Sequence, residues 1–177
     1  LPDVRPELIV AEPSARDSMA AIGLAAAMLE REDPDAVMGS FAADHVIADC
    51  AAFARALSVA VGAARDDWLV TLGIEPTCAS SAFGYIHQGA PLPGHDGAFV
   101  VEEFVEKPSV EVAERYLAAG DFRWNAGMFV ARPRVVLDLL SETDPEFAAS
   151  LRAIAASPDR LDELWATLPR IAVDHAV

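Results

Sequence analysis

Apolar positions along the chain follow two alternating spacings, one typical of helices and the other typical of strands. Residues 18–31 carry apolar side chains every three to four positions, which predicts a helix with one buried face. Residues 36–41 form a short apolar run typical of a buried strand, although periodicity alone does not exclude a helix there. Because strand and helix patterns continue to alternate, we expect an α/β fold with a mixed, mostly parallel sheet flanked by helices.

The remaining predicted elements follow from the same two spacings. Ser109 is expected to cap one helix and Gly120 to end it. The strands at 83–87 and 98–105 flank a turn rich in proline and glycine, which predicts a hairpin lying over the sheet rather than in it. Further helices are predicted at 49–65, 109–119, from 133 onwards, 145–156 and 159–166, and further strands at 68–74, 124–131 and 171–174.

Length and composition indicate one globular domain. A chain of 177 residues with 53% hydrophobic content can bury a core and is not typical of a disordered protein. No apolar run approaches the roughly 20 residues of a membrane span, and no signal pattern opens the sequence, so we expect a cytoplasmic protein without a membrane partner. Cys50 and Cys78 form no CxxC motif, and we expect both to be buried free thiols in a reducing compartment.

The net charge narrows the choice of partners. A formal charge of -15 argues against nucleic acid, whose phosphates need basic side chains to neutralise them. A phosphorylated substrate would also meet a repulsive average field. An anionic ligand would therefore require a divalent cation or a local basic cluster.

Two aspartates are candidate metal ligands. Asp44 and Asp174 each lie at or just beyond the predicted end of an apolar strand, where ligand sites of α/β sheets gather, so they could converge on Mg²⁺. The alternative is that both only cap helices or turns. A histidine follows each aspartate, which raises a second alternative, a zinc or iron hydrolase. Successive side chains of a strand point to opposite faces, which argues against both members of a pair reaching one ion.

Two short segments carry side chains suited to a sugar phosphate. Glu106 and Lys107 end a predicted strand with a carboxylate and an ammonium group, and Pro108 is expected to hold Lys107 extended. Asn125 could bind a sugar hydroxyl, and Gly127 could let backbone approach a ligand. The alternatives are a solvated strand end and a turn that feeds a core strand.

Two further segments could contribute to a binding site. Arg16 and the backbone amides of 12–17 could meet a polar base or an anion at a helix N-terminus, although capping by Ser14 and Asp17 explains the segment equally well. Gly84 lies in a turn entering a strand and could admit a ligand. The sequence contains no G-x-S-x-G elbow, no Cys–His nucleophile arrangement and no Walker loop.

Taken in order, these segments resemble the mannose-1-phosphate guanylyltransferases, a family of sugar-1-phosphate nucleotidylyltransferases, through almost the whole sequence. Each motif is short, and the specificity comes from seven of them in the order of the family. They are Glu12-Pro-x-x-Arg16-Asp17, Gly39-Ser-Phe-x-Ala-Asp44-His-Val-Ile47, Thr71-Leu-Gly-Ile-x-Pro-Thr77, Gly84-Tyr-Ile86, Phe104-Val-Glu-Lys-Pro108, Trp124-Asn-x-Gly-Met-Phe129 and Ile171-x-x-Asp174.

The resemblance implies a Rossmann-like, glycosyltransferase-A-like domain, of which residues 1–177 are the central and sugar-binding part. It implies transfer of GMP from GTP to mannose 1-phosphate, giving GDP-mannose and pyrophosphate with Mg²⁺ as the cofactor. The attacking group would be the phosphate of the substrate itself, so the protein would need no nucleophile. The implied roles are metal ligands for Asp44 and Asp174, the sugar phosphate for Lys107, mannose hydroxyls for Glu106 and Asn125, backbone contacts for Gly84 and Gly127, and a position near guanine for Arg16.

The sequence also departs from the family pattern. The turn Thr-Gly-Tyr-Gly-Tyr of the family reads Ser81-Ala-Phe-Gly-Tyr85 here, and Ser18 replaces a threonine. The Gly-rich loop with which the family grips the triphosphate is absent, and the sequence stops just after the second metal position. We therefore expect an incomplete domain that cannot turn over by itself.

Two other functions remain open at this level. One is another sugar-1-phosphate nucleotidylyltransferase, for example one that uses glucose 1-phosphate with UTP or dTTP. The other is a non-catalytic sensor or regulatory subunit that binds a sugar nucleotide. The oligomeric state is also open, and a homo-oligomer is among the arrangements allowed.

Overall fold

The computed structural model describes residues 9–177, which form two compact units. The sheet unit is Val37–Arg132, and the helical unit consists of the residues up to Ala36 together with Pro133–Val177. The prediction that residues 1–177 belong to one domain stays a prediction. In chain order the elements are α1 (Asp17–Glu32), β1 (Met38–Ser40), α2 (Cys50–Arg65), β2 (Val70–Ile74), β3 (Tyr85–Pro91), β4 (Phe99–Val105), α3 (Val110–Ala119), β5 (Phe122–Ala131), α4 (Pro133–Thr143), α5 (Pro145–Ala156), a 3₁₀ turn (Pro158–Arg160), α6 (Leu161–Trp165) and α7 (Val173–Ala176).

Strand β5 lies at the centre of the five-stranded sheet. Strand β2 pairs with it from Ile74 to Val70. Strand β1 pairs with residues 129–131 of β5, and β3 pairs with residues 122–124. Both stretches overlap residues 124–130, with which β2 pairs. Because a strand has only two hydrogen-bonding edges, β2 takes one edge of β5 while β1 and β3 share the other. Strand β4 continues the sheet beyond β3.

The expected α/β class is confirmed, but the expected parallel pairing is wrong. Every pairing among the described strands is antiparallel. The succession β1–α2–β2 does make β1 and β2 run in the same direction, since both are antiparallel to β5. The late strand β5 lies between them, so the two parallel strands are not neighbours. Alternating elements predict strand direction, whereas the choice of neighbour depends on contacts far apart in sequence.

The predicted hairpin forms, although it belongs to the sheet instead of lying over it. Strands β3 and β4 pair from Tyr85 with Val105 to Pro91 with Phe99, and Leu92 N–H closes the turn on Ala98 O at 2.9 Å. Tyr85 also faces Trp124 of β5. The free edge of β3 is therefore used for pairing with β5, which makes the hairpin an edge of the sheet.

Helices α2 and α3 cover the two faces of the sheet. Tyr85 and Ile86 are both buried, and as consecutive residues of β3 they point to opposite faces. Tyr85 packs with Ala113 of α3, whereas Ile86 lines a cavity together with Ala60 of α2. The expected sheet flanked by helices is therefore confirmed. Cys50, at the start of α2, and Cys78 are free as expected, but both are exposed, so their expected burial is wrong.

Local capping signals of α3 are confirmed. Ser109 accepts a hydrogen bond from Val112 N–H, and Gly120 ends the helix in the left-handed conformation with φ of 80°. The pKa of the Glu111 carboxyl is lower than usual, because its carboxylate forms hydrogen bonds with its own backbone N–H and with the Ser109 hydroxyl. The bond to the backbone has the larger effect. Such short-range bonds need no distant partner, which explains why the sequence predicted this helix within one residue.

The helical unit is built around α1, which packs against α4 and α5. Gly23 lets α1 approach closely, since a Cβ there would lie 2.5 Å from Leu151 Cδ1. Arg152 of α5 binds both carboxylate oxygens of Glu30, at 3.0 and 3.1 Å, and the bond to this carboxylate raises the pKa of Arg152. Among the largest fully buried side chains, those of this unit include Trp165, Met19, Leu137, Leu140 and Leu151. No helix within residues 9–177 is long and apolar enough to cross a membrane.

The predicted strand at 171–174 is wrong. Residues 173–176 form the short helix α7. The backbone of this segment bonds to the start of α1, because Met19 N–H donates to Ile171 O at 3.2 Å and Val173 N–H donates to Ser18 Oγ at 2.9 Å. An apolar run predicts burial, and here burial comes from helices instead of neighbouring strands.

The N-cap of α5 provides a test of these local assignments. Asp144 accepts a hydrogen bond from Phe147 N–H at 2.9 Å. We expect Asp144→Ala to lower the free energy of unfolding by about 1 kcal/mol. Asp144→Ser keeps an oxygen at the cap and should lose only a small part of that. Urea unfolding of the three proteins measures the difference, and equal losses in both variants would contradict the assigned cap.

Candidate functional site

Three of the predicted sugar-binding residues converge in the sheet unit. Asn125 N–H donates to Gly84 O at 2.8 Å, which joins the start of β5 to the turn before β3. A Cβ on Gly84 would lie 2.7 Å from Glu106 Oε2, so the carboxylate lies directly over this glycine. Residues 84, 106 and 125 are far apart in sequence, and the sheet brings them together because β5 pairs with β3 and β3 pairs with β4.

Glu106 and Lys107 form an ion pair at the end of β4. Lys107 Nζ lies 2.6 Å from Glu106 Oε1, and the side chains of Lys107 and Glu106 are 63% and 34% exposed, respectively. Because Glu106 Oε2 is the oxygen over Gly84, the carboxylate contacts the glycine and the ammonium group at once. An acidic and a basic group are thus side by side in solvent, where a ligand that carries both hydroxyls and a phosphate could engage them.

The backbone of Lys107 is left-handed, with φ of 44°, and the expected extended conformation is wrong. The chain bends at Glu106 and Lys107, so that Ser109 reaches the N-cap position of α3. The proline ring disfavours the right-handed helical region for the preceding residue, and this bend uses the left-handed region instead. A residue other than glycine in this region stores strain, which is often found at functional sites.

The side chain of Asn125 is held from two sides. Its Oδ1 accepts hydrogen bonds from Thr71 Oγ1 at 3.0 Å and from Gly127 N–H at 3.1 Å. Gly127 has a φ of 64° and no atom within 4 Å of the position that a Cβ would occupy. Glycine suits this position because it adopts the left-handed conformation without strain. Gly127 lies where the register between β2 and β5 shifts.

Aromatic residues pack beside the turn that contains Gly84. Phe83 packs on Trp124 with ring centroids 4.9 Å apart, and Phe83 is 46% exposed. Tyr85 is fully buried, and its hydroxyl accepts a hydrogen bond from Ser80 N–H at 3.1 Å. This bond ties the turn before β3 to the buried ring. Thr71 and Phe83 were not among the sequence-predicted site residues. A polar residue within the apolar run 68–74 was the available signal for Thr71.

Asp44 and Asp174 lie on different units. Asp44 is exposed in a turn between β1 and α2, four residues after the end of β1. Asp174 belongs to α7 of the helical unit, so its expected position at a strand end is wrong. A shared metal site therefore stays a prediction.

The histidines that suggested a metallohydrolase, His45 and His175, are both exposed. The other two histidines lie beside single aspartates, His87 at 3.3 Å from Asp121 and His95 at 3.0 Å from Asp66. Within residues 9–177, no group of three or more His, Cys, Asp or Glu side chains could hold a metal ion. Nothing in this part of the chain therefore supports the metallohydrolase alternative.

Arg16 is engaged with the backbone of the helical unit. Its guanidinium donates to Leu168 O at 2.9 Å and also to Ala166 O. Arg16 itself occupies the N-cap position of α1, which has no side-chain cap, so the expected capping by Ser14 or Asp17 is wrong. Ser14 O instead accepts a hydrogen bond from Trp165 Nε1 at 2.7 Å. The position of Arg16 near a base stays a prediction.

Among residues 9–177, the sheet unit contains a cavity and so does the helical unit. A cavity of about 700 Å³ in the sheet unit lies beside α2, with Arg55, Trp68 and Arg123 among its lining residues. A cavity of about 340 Å³ in the helical unit is bordered by Glu12 and Trp165. Gly84, Glu106, Lys107, Asn125 and Gly127 line neither of these two cavities. Glu106, Lys107 and Gly127 are exposed, Asn125 is half-buried and Gly84 is buried.

Comparison with known proteins agrees with the motif order. The family model for nucleotidyl transferases matches residues 4–165. Mannose-1-phosphate guanylyltransferase of Escherichia coli K12 is 40% identical over 182 residues, which cover 97% of this chain and 38% of the relative. The xanthan biosynthesis protein XanB of Xanthomonas campestris pv. campestris strain B100 is 39% identical over 98% of this chain and 38% of its own length. The chain thus spans well under half of these curated relatives.

Two solved structures share the fold. A crystal structure of mannose-1-phosphate geranyltransferase from Thermus thermophilus has a TM-score of 0.84 and 31% identity, covering 95% of this chain and 48% of that one. A crystal structure of mannose-6-phosphate isomerase from Helicobacter pylori has a TM-score of 0.78 and 25% identity, covering 94% of this chain and 65% of that one. The names of both proteins refer to a phosphorylated mannose.

The left-handed backbone at Lys107 makes an unusual stability prediction. Lys107→Ala and Lys107→Gly both remove the ammonium group, but only glycine adopts this φ without strain. We expect Lys107→Gly to be more stable than Lys107→Ala by roughly 0.5–1 kcal/mol, after allowing for the greater freedom of unfolded glycine. Urea unfolding measures the difference.

A control pair for Lys107 exists on the surface of α3. At exposed Glu114, inside the helix, the order should reverse, with alanine more stable than glycine by about 1 kcal/mol. If alanine were the more stable residue at both positions, the strain at Lys107 would be refuted.

Proposed function

We propose that this chain, which belongs to the nucleotidyl transferase family, acts in the transfer of GMP from GTP to mannose 1-phosphate. The products would be GDP-mannose and pyrophosphate. The observation that carries the proposal is the convergence of Gly84, Glu106 and Asn125 beside Lys107, supported by 40% identity to a mannose-1-phosphate guanylyltransferase. Because the chain covers 38% of that relative, the proposal concerns the activity of the complete protein.

The polar groups of the site match the two parts of a sugar phosphate. Glu106 can accept hydrogen bonds from hydroxyls, and Asn125 can hydrogen-bond a further hydroxyl. Lys107 can bind the phosphate as a point charge, since its side chain is largely exposed. Binding would replace the contact between Lys107 and Glu106 with contacts from each side chain to the substrate. Gly84 and Gly127 would let the sugar approach the backbone.

The proposed reaction needs positioning more than acid–base chemistry. A phosphate oxygen of mannose 1-phosphate would attack the α-phosphorus of GTP, forming an O–P bond while the bond to the pyrophosphate leaving group breaks. The attacking oxygen is already ionised at neutral pH, so no residue has to remove a proton. Lys107 would hold the attacking phosphate and offset part of its charge, and Glu106 and Asn125 would fix the sugar.

Asp44 and Asp174 would hold the Mg²⁺ ion that we propose as the cofactor. Their carboxylate oxygens are the hard donors that this ion prefers, and Asp44 is exposed to solvent, so the donor chemistry fits. When bound, the ion would offset charge on the substrate phosphates. This contribution matters in a protein with 28 acidic and 13 basic residues.

The guanine side of the proposal rests on residues 12–17. Arg16 bonds the carbonyls of Ala166 and Leu168, which supports a role in holding this segment in place beside the base. We propose the cytoplasm as the location and GTP, mannose 1-phosphate and GDP-mannose as the ligands, with neither nucleic acid nor a membrane as a partner. A homo-oligomer is compatible with the proposal.

Pyrophosphate release by the complete protein tests the proposed function. GTP with mannose 1-phosphate should be the best pair when UTP, dTTP and glucose 1-phosphate are compared with it at equal concentrations. Preference for glucose 1-phosphate with UTP or dTTP would replace the proposal with another nucleotidylyltransferase. Tight GDP-mannose binding without pyrophosphate release would replace it with a non-catalytic binding protein.

Substitution of Lys107 and Glu106 tests their roles in the same assay. We expect Lys107→Met and Glu106→Gln each to lower kcat/KM for mannose 1-phosphate about 10- to 100-fold, because each removes a charged hydrogen-bonding group from the site. Arg115→Met removes an exposed cation of α3 and serves as the control for net charge. Equal activity of Lys107→Met and Arg115→Met would remove Lys107 from the site.

A glycine substitution tests the close approach of Glu106. In Gly84→Ala, the new methyl group would lie 2.7 Å from Glu106 Oε2 and 3.0 Å from Phe104 Cζ, so the carboxylate has to move away. We expect affinity for mannose 1-phosphate, measured by calorimetry, to fall at least about 10-fold, consistent with the loss of a charged hydrogen bond. Gly62→Ala is the matched control, since its Cβ would meet only His95 Nδ1 at 3.8 Å. Unchanged affinity in Gly84→Ala would contradict the assigned position of Glu106.

A further inference from the structure

The side chain of Thr71 contacts the side-chain amide of Asn125, which would bind the sugar. Its hydroxyl donates to Asn125 Oδ1 at 3.0 Å, and it is half-buried within β2. Gly127 N–H donates to the same oxygen at 3.1 Å. Two donors from two different strands therefore meet at one end of the Asn125 amide.

The bond from Gly127 determines which end of the amide faces these two donors, and the bond from Thr71 helps to hold it there. A backbone N–H can only donate, so the atom that faces Gly127 must be the oxygen of Asn125. If the amide were flipped, Nδ2 would face the N–H of Gly127, and neither group could accept a hydrogen bond from the other. Amide orientation is normally ambiguous, and here the hydrogen-bond network removes the ambiguity. The Nδ2 group is consequently directed away from Thr71 and Gly127.

We propose that Thr71 is a positioning residue that holds Asn125 as a hydrogen-bond donor toward the sugar. This inference rests on the proposed function and extends it. Asn125 would donate to the oxygen of one sugar hydroxyl, while the carboxylate of Glu106, which can only accept, would receive the hydrogen of another. The site would therefore distinguish two hydroxyls by their opposite hydrogen-bonding roles.

The backbone of Asn125 is held independently of Thr71. Its N–H donates to Gly84 O at 2.8 Å, and it faces Gly73 in the pairing of β2 with β5. Removal of the Thr71 hydroxyl should therefore affect how firmly the amide is held while the strand stays in place. Thr71→Val keeps the size and branching of the side chain without the hydroxyl, and Thr71→Ser keeps the hydroxyl without the methyl group.

The first measurement is structural and does not depend on activity. In ¹⁵N relaxation measurements on the full-length protein, the side-chain NH₂ group of Asn125 should be rigid, with a high order parameter. In Thr71→Val this order parameter should fall, because one of the two hydrogen bonds to Oδ1 is lost, and in Thr71→Ser it should return to the wild-type value. If the order parameter is the same in wild type and in Thr71→Val, Thr71 does not hold the amide and the inference is wrong, whatever the protein catalyses.

The second measurement is kinetic. We expect Thr71→Val to raise KM for mannose 1-phosphate about 3- to 10-fold, as for the loss of one neutral hydrogen bond, with kcat and KM for GTP changed less than about 2-fold. Thr71→Ser should restore the wild-type KM. In an Asn125→Ala background, Thr71→Val should have no further effect on this KM, because Thr71 acts through Asn125.

The outcomes separate this inference from the proposed function. If wild type turns over mannose 1-phosphate but Thr71→Val leaves its KM unchanged, the function stands and the role of Thr71 is refuted. Equal effects of Thr71→Val with and without Asn125 would also refute it and would indicate a purely structural role. If the amide is held but wild type neither binds nor turns over mannose 1-phosphate, the proposed function fails and the sugar-binding role of Asn125 fails with it.

Discussion

Backbone hydrogen bonding along β5 is the constraint on which the rest of the sheet unit depends. This strand pairs with β1, β2 and β3, while β4 attaches to β3. A loss of register in β5 would therefore misplace every strand of the sheet. The candidate site lies where β5 passes from its pairing with β3 to its pairing with β1. Asn125 and Gly127 lie at this change of neighbour, where the amide oxygen of Asn125 accepts hydrogen bonds from Thr71 and Gly127.

The charge distribution explains why the pair of Glu106 and Lys107 is important in the proposed function. An acidic protein repels anionic substrates, so a single well-placed ammonium group has a large relative effect. The neighbouring carboxylate holds this group in place through an ion pair. The strained backbone at Lys107 then sets the direction in which both side chains leave the sheet. The left-handed backbone, the ion pair and the turn into α3 thus all involve Glu106 and Lys107.

The helical unit follows a different rule, in which small residues allow close packing around α1. Gly23 permits contact with Leu151, and hydrogen bonds from Met19 and to Ser18 anchor the last segment of the chain. This anchoring makes 173–176 helical and places Asp174 on a short helix. The position of that aspartate is therefore a consequence of packing around α1, whereas Asp44 is placed by the turn after β1.

The sequence by itself determined the features that depend on near neighbours: the helices other than α7, most strands, the caps of α3, and the motifs that identify the family. It also selected Gly84, Glu106 and Asn125, which the sheet brings together. Only the tertiary structure decided that β5 lies between β1 and β2, that α7 replaces a strand, and that the Thr71 hydroxyl bonds the amide oxygen of Asn125. The reason is physical, since caps and periodicity act within a few residues, whereas strand neighbours and side-chain orientation are chosen by contacts tens of residues apart.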